Sequence, residues 1–140
     1  MMERYRRGLA LLLALCGLLL TGCGARSGGE VQVLLDGAAW DGSPVSPDAD
    51  DPLRVYITLD GNALIDLPFN EARTVTIRQP GVGENTLALT GEAVYMSHAD
   101  CENQDCVNMG RVTRDNLELR VMGGFIVCLP HKLSVEVRGN

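Results

Sequence analysis

Hydrophobic and polar residues alternate along this chain in two distinct ways. Leu9 to Leu20 form an almost unbroken apolar run, whereas the chain beyond Leu53 returns again and again to a period of two. Leu53, Val55, Ile57 and Leu59 alternate with Arg54, Tyr56, Thr58 and Asp60. Val75 and Ile77 alternate with Thr74, Thr76 and Arg78, and Leu117, Leu119 and Val121 with Asn116, Glu118 and Arg120. Leu133, Val135 and Val137 do the same against Ser134, Glu136 and Arg138. Successive strand side chains point to opposite faces, so each segment predicts a strand with one face on a core and one in water. No stretch after Leu20 keeps a 3.6-residue period, which predicts an all-β domain.

The punctuation between these runs agrees. Asp60-Gly61 separates two of them, and Gly accepts the positive φ of a tight hairpin turn. Gln79 to Gly83 and then Gly91 mark further turns. Phe125 to Leu129, after Gly123-Gly124, is apolar on both faces and reads as a strand that is central or at a barrel closure, covered on both sides. About seven short antiparallel strands at this spacing predict a small barrel or sandwich. Val31 to Leu35 is a candidate for an additional first strand. Asp41 to Pro52, rich in Asp, Pro and Ser, reads as a solvated linker.

The N-terminal run changes the picture of where this domain works. Arg4, Arg6 and Arg7 precede it and Leu20-Thr21-Gly22-Cys23 follows it, the basic–apolar–small order of a secretory signal. About a dozen apolar residues fall short of the ~20 that span a bilayer, which favours a cleaved signal over an uncleaved anchor. Leu20 to Cys23 resembles the lipobox of bacterial lipoproteins. That resemblance implies cleavage before Cys23 and lipid on its thiol, with at least two acyl chains for stable anchoring. The expected organisation is a signal peptide over 1–22, a lipidated Cys23 with tether and acidic linker over 23–52, and a β-domain over 53–140. The expected location is the extracytoplasmic face of the cell membrane, with the membrane itself a partner through Cys23. Cys16 would be lost with the signal.

Removing residues 1–22 takes away a net charge of +2, and leaves 118 residues at −8 from a full-length total of −6. An acidic chain lacks the clustered Lys and Arg that bind phosphate, so nucleic acid is excluded as a partner. The same charge disfavours lying on anionic lipid.

Candidate chemistry rests on three remaining cysteines, Cys101, Cys106 and Cys128. Exported thiols tend to pair, which predicts one disulfide and one leftover thiol, with the pairing open. An alternative joins Cys101-x4-Cys106 to Cys128-x2-His131 as a structural zinc site, since zinc favours thiolate and imidazole. His98 is the spare ligand. Thiol redox chemistry is disfavoured by the absence of Cys-x-x-Cys at a helix start. The motifs of serine hydrolases, phosphate-binding loops and zinc peptidases are absent. Trp40, the only tryptophan, reads as a packing residue beside the linker. The expectation is a non-enzymatic domain without a cofactor that binds a protein or small ligand, with the thiol or zinc module as the competing reading.

Ser97-His98-Ala99-Asp100-Cys101-x4-Cys106-Val107-x2-Gly110 and Ile126-Val127-Cys128-Leu129-Pro130-His131-Lys132 together resemble the NusG domain II family. The resemblance spans roughly Leu53 to Val137, and its specific part is the cysteine loop and the Cys-Leu-Pro segment. It implies a compact β-barrel-like fold, found inserted in some bacterial NusG transcription factors and standing alone in small exported proteins. It implies no assigned reaction. A transcription role does not carry over to an exported, lipidated, acidic chain.

Overall fold

A computed structural model of the chain describes residues 29–47 and 49–139. The signal peptide, Cys23 and the tether up to Gly28 lie outside the described residues. Ten strands and one short helix make up the described part: β1 (Gln32–Leu35), β2 (Ala38–Ala39), β3 (Leu53–Leu59), β4 (Asn62–Pro68), β5 (Ala72–Gln79), β6 (Gly83–Thr90), β7 (Ala93–Ala99), α1 (Asp105–Asn108), β8 (Val112–Thr113), β9 (Phe125–Cys128) and β10 (Leu133–Gly139). The all-β expectation holds. The strands form two antiparallel sheets, one ordered β2-β1-β5-β6-β7-β8 and the other β4-β3-β10-β9.

One hydrophobic cluster is fed by both sheets, the arrangement of a sandwich. Val55 and Ile57 of β3, Val75 and Ile77 of β5, and Val135 and Val137 of β10 are buried, while their alternating neighbours, apart from Arg54, are more open. Leu87 and Leu89 of β6 and Val94 and Met96 of β7 complete the inner face of the larger sheet. At the β3–β4 corner Asp60 (φ 49°) and Gly61 (φ 79°) both adopt the left-handed conformation, as a two-residue hairpin requires.

Three expectations are corrected. Residues 116–121 form no strand, but a series of turns. The Asn116 side chain accepts from the Thr113 amide and donates to the Arg111 carbonyl. The Arg120 guanidinium donates to the carbonyls of Met109, Arg111, Gly123 and Phe125. These side-chain bonds take the place of a ladder, so Leu117 still packs against the core while Leu119 and Val121 turn out to water.

The second correction concerns β9, which is the edge strand of the smaller sheet and pairs only with β10. Ile126 and Cys128 face the core, whereas Phe125 and Leu129 are exposed. On its open side the Val127 amide donates to the Met109 sulfur at 3.2 Å.

The third is the domain boundary drawn at Leu53, which divides the folded unit. β1 pairs with β5 along its whole length and, through a second Asp-Gly hairpin at Asp36-Gly37, with β2. In the segment read as linker, Val45 and Asp51 are buried. Arg54 donates to the Val45 and Ser46 carbonyls and pairs with Asp66 at 2.7 Å. Asp51 binds the Arg114 guanidinium at 2.6 Å and accepts from the Leu53 amide.

Candidate functional site

The three cysteines converge at one end of the sandwich. Cys101 follows β7, the inner strand next to the two-residue β8, and Cys128 ends β9 in the opposite sheet. Cys106 lies on α1, which packs against both β7 and β9. The single turn of α1 is too short to have a legible period. It is set by Gln104, which takes a left-handed backbone (φ 53°) and donates through its side chain to the carbonyls of Ala99 and Cys101. The loop is thereby closed back onto β7.

All three thiols are buried, and their sulfurs lie within 4.8 Å of one another. The Cys101 and Cys106 sulfurs are 3.7 Å apart, and no disulfide joins any of the three. A bonded pair would stand about 2.05 Å apart, so the expected disulfide is not formed here. Burial pushes the Cys106 thiol up to about 12, helped by its hydrogen bonds with Cys128 and Cys101 and by the charge those neighbours would carry. Such a thiol stays neutral near pH 7, the opposite of an activated nucleophile.

Beside the sulfurs a small cleft of about 190 Å³ opens to the surface, lined by Cys106, Cys128, Met109, Met122 and Leu129, with Asn103 and Asp105 at its polar side. The Asp105 carboxylate accepts from the Asn103 amide at 2.8 Å.

His131 does not join the cysteines, which corrects the four-ligand set expected from Cys128-x2-His131. Its Nδ1 is 2.7 Å from the Asn85 Oδ1, and its Nε2 is 3.3 Å from an Asp100 carboxylate oxygen. Its carbonyl accepts from Gln79. Both ring nitrogens are therefore engaged in tying the β9–β10 turn to β6 and the β7 exit. His98 is exposed on β7 and is likewise outside the sulfur group. Trp40 packs against the core, as a packing residue should, and its indole N–H donates to the Ser43 carbonyl.

Sequence reasoning missed the apolar surface next to this end. Leu119 is 83% exposed, Leu129 is 77% exposed, and Val121 is fully exposed, with Met122 and Phe125 partly so. The alternation at Leu117, Leu119 and Val121 is the only signal for it, and that pattern predicts a buried face.

No curated protein of known function matches the chain. The crystal structure of the Lin0431 protein from Listeria innocua is similar, with 26% identity and a TM-score of 0.54 over 64% of this chain and 99% of that one. A DUF1312 family protein from Ruminococcus gnavus is 28% identical, with a TM-score of 0.50 over 62% of this chain and 99% of its own. A DUF1312 family protein from Enterococcus faecalis shares the fold at 16% identity, with a TM-score of 0.54 over 63% and 98%. The NusG domain II family model matches residues 33–140, from β1 to the C-terminal end, and the chain belongs to that family.

Proposed function

We propose that the chain is a lipid-anchored extracytoplasmic protein whose β-domain is a non-enzymatic docking module for a partner protein. The signal-like N-terminus and the lipobox at Leu20 to Cys23 support the anchoring. The observation that carries the docking is the apolar surface of residues 119–129. Large hydrophobic side chains held in water mark interaction sites when they sit together on an ordered scaffold. Here Arg120, with its bonds to four carbonyls, fixes the segment that displays Leu119, Val121 and Met122. The buried thiols, with Cys106 kept protonated by its burial, and the engaged His131 offer no nucleophile–base pair beside that surface, which favours binding over catalysis.

A photocrosslinking residue placed at Val121 in the full-length chain, with Cys23 intact, tests this in the native membrane. Adducts to a discrete protein at Val121, absent from the same probe at exposed Ala38, are the expected result. Adducts to lipid alone, or equal capture from both positions, would refute the docking reading. Loss of lipid labelling in Cys23→Ser is the separate check of the anchor.

A further inference from the structure

We propose that Cys101, Cys106 and Cys128 form a three-thiolate site for a soft monovalent d10 cation, of which copper(I) is the biological example. The inference is independent of the docking reading.

The first support is the sulfur triangle. Metal–sulfur bonds of about 2.3 Å would place the sulfurs about 3.8 Å apart on a tetrahedral face and about 4.0 Å apart in a trigonal plane. The Cys101–Cys106 distance of 3.7 Å is close to that range, and all three sulfurs lie within 4.8 Å of one another. The three residues come from three separately anchored segments: the β7 exit held by Gln104, the turn of α1, and β9 paired to β10. The triangle is therefore present before any ion arrives, and an ion there would join the two sheets at an edge where no strand pairing does.

The second support is the chemistry of the surroundings. Soft thiolate and thioether ligands select copper(I) and zinc over oxygen-seeking ions. Zinc sites ordinarily complete a tetrahedron with imidazole, a fourth thiolate, a carboxylate or water. The nearby imidazole, His131, is bound at both nitrogens to Asn85 and Asp100. The cleft that reaches Cys106 and Cys128 is lined by Met109, Met122 and Leu129, and the Asp105 carboxylate on its polar side is held by the Asn103 amide. Three sulfurs, with methionines along the way in, suit an ion content with three soft ligands. Binding releases the thiol protons to solvent and forms three sulfur–metal bonds, with no change of oxidation state.

The test uses the full-length lipidated chain in detergent, reduced and kept anaerobic, titrated with copper(I) buffered by a chromogenic chelator. The expected result is one tightly held copper per chain, with an X-ray absorption shell of three sulfurs and no nitrogen. Binding should be lost in Cys106→Ser and in Cys128→Ala, and kept in His98→Ala. The absorption shell is read on the unaltered chain, so it decides the matter even if a cysteine variant fails to fold. A shell containing nitrogen, retention of copper by a folded Cys106→Ser chain, preference for zinc(II) in direct competition, or no stoichiometric binding would each overturn the proposal.

Discussion

The buried pair Asn85–His131 offers a quantitative test of how the two sheets are held together. Asn85 occupies an inward position on β6 where the alternation calls for an apolar residue, and it has no solvent exposure. Its carbonyl oxygen meets His131 Nδ1 at 2.7 Å, across from one sheet to the turn that enters β10 of the other. Asn85→Ala removes a hydrogen bond with a net contribution of about 1 kcal/mol, and strands the buried ring nitrogen at a further cost of about 1–3 kcal/mol. The expected loss is about 2–4 kcal/mol, a large share of the 5–15 kcal/mol typical of a domain. At about 4 °C per kcal/mol for this size, Tm should fall by about 8–16 °C. His131→Ala should cost about as much or more, since it orphans the Asn85 carbonyl oxygen and also removes a packed ring. The double variant orphans neither group, so its loss should be smaller than the sum of the two by about 1–3 kcal/mol. Urea unfolding followed by the fluorescence of Trp40, the only tryptophan and one packed on the core, measures all three. Losses that add to within about 0.5 kcal/mol would show that the two side chains are not energetically coupled, and would refute the clamp.

Other changes probe other parts of the frame. A Cβ on Gly124 would fall on the backbone carbonyl oxygen of Val137, whose own amide donates to the Gly124 carbonyl at 3.0 Å. Gly124→Ala should therefore lose about 2–4 kcal/mol in urea unfolding, against about 1 kcal/mol for Gly37→Ala, where only a positive φ is in the way. Burial pushes the Asp51 carboxyl up, but the Arg114 guanidinium and the amides of Leu53 and Asn70 more than offset it, and its pKa ends below the ordinary value. Its contribution is thus complete above the ordinary carboxylate range and lost as pH falls through the lowered value. With Arg114 partly in solvent, Asp51→Asn should cost about 1–3 kcal/mol at pH 7. The gap to the parent chain should narrow below about pH 4 in thermal melts. With its thiol near 12, Cys106 should resist iodoacetamide at pH 8 in the folded chain and react once unfolded, as read by peptide mass spectrometry.

How far the sequence discloses this fold depends on whether the local pattern is also the decisive one. For β3, β5 and β10 it is: alternation set the inward faces, and Asp60-Gly61 set a corner. Asp36-Gly37 carries the same turn signal, and could have announced β1 and β2 had the Asp- and Pro-rich stretch after it not drawn the boundary to Leu53. Residues 116–121 have as good an alternation as β10. What separates them is the bonding of Asn116 and Arg120 to backbone groups, and no period records that. For β9, apolar residues on both faces mean different things on its two sides: core beneath Ile126 and Cys128, and open surface at Phe125 and Leu129.

The same reasoning explains why the residues at the sulfur site were legible and their grouping was not. Close spacing in sequence put His131 with Cys128, yet a strand end and the turn after it aim their side chains differently. Cys128 belongs to the inward face of β9. His131, three residues later and past Pro130, meets a polar partner placed 46 residues earlier in the chain. The missing clue was Asn85, a polar residue at an inward position of an otherwise apolar strand face. A buried amide must find a partner, and a nearby imidazole freed from metal duty is the one that satisfies it. An inward-facing Asn is thus evidence that the histidine belongs to the sheet-to-sheet contact and not to the sulfur group.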